Sequence, residues 1–236
     1  MHIYYIRHGE PIYVPDELTY LGEQQAYSIG KKLAQIGIDK IYASNSNRAI
    51  QTATPLAKML KKEIVELPFA NEHYVFTEFA YKDQGTIFNS PSTIKFLAEH
   101  PEIYNMGFEW YNHELFKDFN YKAAVERVAN NLDELFLSLG YSHERNKGRY
   151  KILNSSNEKV AFFAHAHFGN AFLSCVLDIP YPLVNSHFSH CLSGLTVIDF
   201  EERDGYAYPR VCTQSNDGHL EKDGIITGPN GLARHY

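Results

Sequence analysis

The chain has 236 residues, about a fifth of them charged, with a formal net charge of −6 and no long block of like charge. That length suits one α/β domain carrying an insertion, while the charge balance argues against nucleic acid, whose phosphates select a concentrated basic surface. No segment is long and apolar enough to span a bilayer, the start MHIYYIRHGE is too short in apolar residues for a signal peptide, and the three cysteines Cys175, Cys191 and Cys212 lack a C-x-x-C pairing, so a cytoplasmic protein with no membrane partner is expected.

Short apolar runs alternate with stretches whose apolar residues recur every three or four positions. The alternation predicts strands at His2–Ile6, Lys40–Ala43, Glu63–Leu67, Lys159–Ala164 and Leu195–Phe200, with a further one around Ala207–Cys212. Helices are predicted over Thr19–Ile36, with Thr19 as cap and Gly37 as stop, then Arg48–Leu60, Tyr121–Leu139 and Phe168–Leu177. In the third helix, Val125, Val128, Leu132, Leu135, Phe136 and Leu139 form one apolar stripe that belongs to the core.

The implied fold is an α/β three-layer sandwich, a mostly parallel central sheet with helices on both faces. Residues 73–120 break the rhythm with Gly85, Pro91, Pro101, Gly107 and twelve aromatics, and read as an insertion of short helices and loops over one end of the sheet. Residues 215–236 are turn-rich and read as irregular. The whole of 1–236 is taken as a single domain.

Three segments carry candidate chemistry. Arg7-His8-Gly9-Glu10 follows an apolar strand directly, and the carboxyl end of a strand is where α/β sheets bind ligands. A neutral His there is a nucleophile, and a neighbouring arginine disfavours its protonated form. The run Ser44 to Ala53 leads from a strand end into a helix whose first turn holds Arg48, a position that suits a bound negative charge rather than a cation. Phe162 to Gly169 delivers His165 and His167 from a strand to the next helix. Singly, each segment reads equally as a solvated loop or a structural histidine.

Together they resemble the histidine phosphatase superfamily, the phosphoglycerate mutase-like fold. The resemblance rests on Arg7-His8-Gly9-Glu10, the helix start Leu18-Thr19-x-x-Gly22-x-x-Gln25-Ala26, the Arg48-Ala49-x-Gln51-Thr52-Ala53 run, and a late strand ending before His165 with Pro180 downstream. It implies that His8 is the nucleophile, that Arg7 and Arg48 bind phosphoryl oxygens, and that a protonated His165 completes the pocket. It also implies a carboxylic proton donor after the third strand, with Glu72 preferred to Glu78 on its distance from the strand. Glu10 and His167 are expected among the substrate contacts. Val14 departs from the family where an asparagine is common, and Ala166 where a glycine is common.

The activity implied is hydrolysis of a small phosphate monoester through a phosphohistidine, without metal or other cofactor. A phosphomutase is the rival within the fold; it needs extra cations, and residues 73–120 hold no arginine, only Lys82, Lys95 and Lys117. A metal-dependent hydrolase using His165 and His167 is the rival from another class, and a phospholigand-binding protein without turnover is a third. The insertion's aromatics suggest a planar or apolar leaving group, although core packing explains most aromatics.

Overall fold

The computed structural model describes residues 1–80, 88 and 91–225. Lys82, Gly85 and the tail 226–236 lie outside the described residues. In chain order, β1 (His2–Arg7), the short β2 (Pro11–Ile12) and β3 (Glu17–Leu18), α1 (Tyr20–Ile36), β4 (Lys40–Ser44), α2 (Asn47–Leu60) and β5 (Ile64–Leu67) come first. They are followed by α3 (Glu72–Glu78), α4 (Pro91–Glu99), a series of short 3-10 turns and α5 (Tyr121–Ser138). The remainder is β6 (Tyr141–Glu144), β7 (Arg149–Ile152), β8 (Lys159–Ala164), α6 (Ala166–Leu177), α7 (Tyr181–His187), β9 (Leu195–Arg203), β10 (Tyr206–Asn216) and α8 (Gly218–Lys222).

Eight strands form one sheet in the order β5-β4-β8-β1-β9-β10-β7-β6. The first four are mutually parallel, and from β1 outward each pairing is antiparallel, so only β9 and β7 run against the rest. The two-residue period of a strand divides the core. Ile3, Tyr5, Tyr42, Val160, Phe162 and Ala164 face one layer with α5 and α6, and Ile6, Ile41, Ala43, Ala161 and Phe163 face the other with α1 and α2. The sandwich with helices on both faces is thus present.

The predicted helices form as read. Thr19 caps α1 by accepting from the Gly22 amide at 3.0 Å, and Gly37 ends it at a φ of 80°. Two expectations change. The described part of the C-terminal stretch, 215–225, is partly regular: β10 extends to Asn216, and α8 packs on α1, where Ser28 donates to the Asp223 carboxylate at 2.6 Å. The hairpin β6/β7 was not anticipated. Asn146 and Gly148 turn it at positive φ, and Arg145 docks it by reaching Asp133 at 2.6 Å and Asp178 at 3.3 Å.

The aromatics of the 73–120 region mostly pack on one another. Trp110 and Phe116 sit 5.2 Å apart, both essentially buried, with Phe88 and Tyr121 against them. No helix among the described residues is long and apolar enough to cross a membrane.

One close approach holds the loop after β1 to α1. A Cβ on Gly22 would stand 2.2 Å from the Glu10 carbonyl oxygen, and one on Gly9 would stand 2.6 Å from the Gly22 carbonyl. Backbone cannot yield as a flexible side chain does. Gly22→Ala is therefore expected to destabilise the fold by roughly 1–3 kcal/mol, a fall in Tm of several degrees at this size. Thermal unfolding of the variant checks this, and an unchanged Tm would show the contact to be loose.

Candidate active site

The parallel strands β4, β8 and β1 end side by side, and their carboxyl ends carry the candidate residues. His8 follows β1 directly. Its amide donates to the Ala164 carbonyl at 2.9 Å and its carbonyl accepts from the Ser193 amide at 3.1 Å, so its backbone is pinned on both sides. The residue is 1% exposed, and its Nδ1 lies 2.7 Å from the Gly9 carbonyl. A carbonyl only accepts, so the ring proton sits on Nδ1 and the lone pair on Nε2. Burial, reinforced by Arg7 and Arg48, holds the His8 pKa well below 6.5 despite the Gly9 hydrogen bond.

Arg7 donates from Nη1 to the His190 carbonyl at 2.7 Å, while its buried Nε–H has no partner. Burial pulls its pKa down. Arg48, in the first turn of α2, donates from Nη1 to Asp16 at 2.6 Å, and the other Asp16 oxygen accepts from the Asn47 amide at 2.9 Å. Asp16 thus supplies within the chain the negative charge that an arginine at a helix start implies. The Arg48 Nε–H is also buried and unpaired. Thr52 accepts from the Gly9 amide at 3.0 Å and donates to the Arg48 carbonyl at 2.7 Å, tying α2 to the loop after His8.

His165 caps the gap between β8 and α6, its ring 5.2 Å from that of His8. Arg48 Nη2 donates to its Nδ1 at 3.1 Å, and its Nε2 therefore carries the proton and donates to Ser44 Oγ at 2.9 Å. Ser46 Oγ stands 3.3 Å from the same nitrogen. Burial, with His8, Arg48 and Arg7 around it, drives its pKa well below 6.5. This corrects the expectation of a protonated His165: in the free protein the ring is neutral, and the arginines carry the positive charge.

Glu72 opens α3. One carboxylate oxygen accepts from the His167 amide at 3.0 Å, and the other lies 3.7 Å from Arg48 Nη2 and 3.9 Å from His165 Nδ1. Glu78, the other candidate, is turned to Arg127, whose Nε reaches both its oxygens at 2.7 and 3.0 Å. The ligand atoms of His8, Glu72 and His165 all lie within 4.8 Å of one another.

Two candidates fall outside that cluster. Glu10 accepts from the Thr19 hydroxyl at 2.8 Å and braces the start of α1. His167 turns Nδ1 to Asn185 at 3.4 Å and packs edge-on against Phe76, so it does not join His165 as a ligand pair. Val14 is 90% exposed, and the neighbouring Tyr13 ring lies 5.5 Å from the Arg48 guanidinium. Sequence reasoning missed Asp16, Tyr5, whose hydroxyl donates to the His165 carbonyl at 2.6 Å, and His190. Ser44 and Thr52 lay in plain view in the run around Arg48, where their hydroxyls were the available signal.

The family model of the histidine phosphatase superfamily (branch 1) matches residues 3–81, which include His8, Arg48 and Glu72. The fold extends the likeness over almost the whole chain. The sequence likeness to that superfamily is carried by residues 3–81, and the chain as a whole is similar to the solved phosphatases in fold. Phosphoserine phosphatase from Entamoeba histolytica, in complex with 3-phosphoglyceric acid, superposes with a TM-score of 0.58 at 18% identity, covering 93% of this chain and 98% of that one. The alpha-ribazole phosphatase from Shigella flexneri gives 0.57 at 18%, covering 92% and 97%. A mycobacterial glucosyl-3-phosphoglycerate phosphatase, in complex with inorganic phosphate, gives 0.60 at 15%, covering 92% and 98%. These three likenesses concern the fold. No curated protein matches the sequence at a significant level.

The depressed histidines make stability depend on pH. A histidine whose folded pKa lies well below its unfolded value of about 6.5 binds its proton first in the unfolded chain, so its contribution is full above about pH 6.5 and is lost as pH falls. Each such group should cost about 1.4 kcal/mol per pH unit below that point. Urea unfolding at pH 7, 6 and 5 measures the slope, and His8→Asn should make it shallower by about one proton. An unchanged slope would mean that His8 is not held neutral.

Proposed function

We propose that this protein hydrolyses phosphate monoesters by transferring the phosphoryl group to His8 and then to water. The observation that carries the reading is a neutral imidazole with a free Nε2, set among two guanidinium groups that each keep a buried, unpaired Nε–H. Unpaired buried donors are costly, and an oxyanion arriving beside them removes that cost. Phosphoryl transfer is catalysed mainly by positioning and by neutralising the non-bridging oxygens, which is what such a site offers.

In the proposed reaction Nε2 of His8 forms a bond to phosphorus while the bond to the leaving oxygen breaks. Glu72, acting as the general acid, gives a proton to the departing oxygen. As a carboxylate it then removes a proton from the water that attacks phosphorus, and the phosphorus–nitrogen bond breaks with its electron pair returning to His8. His165 holds Arg48 through Nδ1 in the free site, so its task is to keep that cation in place.

Hydrolysis is preferred to phosphoryl return because a mutase needs further cations near the leaving group. Lys95 and Lys117 are exposed and paired with Glu99 and Glu114. A metal ion on His8, Glu72 and His165 is the second reading that the geometry raises. Arg7 and Arg48 beside that cluster repel a cation and attract an anion.

Turnover of an aryl phosphate should survive exhaustive chelation and be blocked by vanadate; loss on chelation with recovery on added zinc would favour the metal reading. Glu72→Gln should lower turnover of alkyl phosphates by about 10²-fold or more, and of aryl phosphates much less, since aryl leaving groups need little protonation. Glu78→Gln should leave that contrast absent. The reverse pattern between the two variants would remove Glu72 from the role.

A further inference from the structure

A cleft of about 580 Å³ opens on Arg7, between α6, α7 and the loop that precedes β9. Its wall contains a chain of buried polar side chains. His167 Nδ1 donates to Asn185 Oδ1 at 3.4 Å, the Asn170 amide nitrogen donates to the same oxygen at 2.9 Å, and His190 Nε2 donates to Asn170 Oδ1 at 3.1 Å. Asn170, Asn185 and His190 are 3%, 5% and 1% exposed. Apolar residues would join α6 to α7 without the cost of desolvating amides and imidazoles, so a polar chain that also faces a cleft is a feature to be accounted for.

The direction of those hydrogen bonds decides what the cleft can hold. Each imidazole spends its single ring proton within the wall, because the amide oxygens only accept. His190 Nδ1 is left as a buried acceptor with no partner, and His167 Nε2 as a second acceptor. A ligand against His167, which lines the cleft, must bring a hydrogen-bond donor to its Nε2. A carboxylate brings none, and the lining residues include no lysine; Arg7 is their one guanidinium, and the phosphoryl group claims it. A cationic donor would be repelled by the same Arg7. Hydroxyl groups remain. At the rim, Tyr13 and Phe188 are 60% and 44% exposed and offer aromatic faces to the C–H surface of a ring or chain.

We propose that this cleft is the leaving-group site and that it takes an uncharged polyhydroxylated group, a sugar or polyol, esterified to the phosphate that His8 attacks. The inference rests on the hydrolase reading. It differs from the expectation of a planar or apolar leaving group; most of the described aromatics of 73–120 pack on one another, while Tyr74, Phe76 and Tyr104 stay exposed.

The test compares kcat/KM for hexose and polyol phosphates with those for phosphoglycerate, phosphoserine and phosphoethanolamine, with an aryl phosphate as common reference. The hydroxylated esters should exceed the acidic and amino esters by tenfold or more, and Asn185→Leu should lower the ratio of hexose phosphate to aryl phosphate by about tenfold. A preference for the acidic or amino esters, or a ratio unmoved in a folded Asn185→Leu, overturns the proposal; the wild-type comparison decides even if that variant does not fold. The binding preference measured by calorimetry on His8→Ala, which needs no turnover, separates this proposal from the hydrolase reading. Absence of turnover with any ester contradicts that reading, while tighter binding of hexose phosphate than of phosphoglycerate still assigns the cleft.

Discussion

The hydrogen bond from His8 Nδ1 to the carbonyl of its own neighbour Gly9 decides which ring nitrogen keeps a lone pair, and the rest of the site is arranged around that choice. It works only because the backbone of residues 8 and 9 is held at every polar atom within reach. Ala164, Ser193 and Thr52 take the His8 amide, the His8 carbonyl and the Gly9 amide respectively. The glycines at 9 and 22 let α1 close against this loop, so the orientation of one imidazole depends on packing that begins two turns of chain away. Pre-organisation of this kind lowers the cost of reaching a reactive geometry.

Holding two guanidinium groups beside a buried imidazole costs stability, and the chain offsets it locally. Asp16 neutralises Arg48, the His190 carbonyl accepts from Arg7, and both histidines remain neutral. The balance is incomplete, since each arginine keeps one buried donor unpaired. That residue of unmet demand for an anion is the physical link between the fold and the proposed chemistry.

Much of this was legible because it is local. The strand-to-loop position of His8 and the helix-start position of Arg48 follow from apolar runs and their ends, and Thr19 and Gly37 mark the limits of α1 where capping chemistry puts them. What was not legible depends on contacts between distant segments. Asp16 approaches Arg48 across thirty-two positions, and the separation of Glu72 from Glu78 turns on Arg127, more than forty residues away. The protonation state of His165 could not be read from its neighbours in sequence, because Arg48 and Ser44, which set it, come from the adjacent strand β4 and the helix after it, more than a hundred residues earlier in the chain. The hairpin β6/β7 escaped because its strands are four residues long and outwardly polar, leaving only the turn at Asn146 and Gly148 as a signal.

The most direct measurement is to quench turnover of a phosphate ester in alkali, where a phosphorus–nitrogen bond persists, and to map the phosphorylated residue by mass spectrometry. The account predicts an acid-labile adduct on His8 that is absent in His8→Ala and that forms more slowly, on the same residue, in His165→Ala. A label on His165 or His167, or full turnover by His8→Ala, would contradict it.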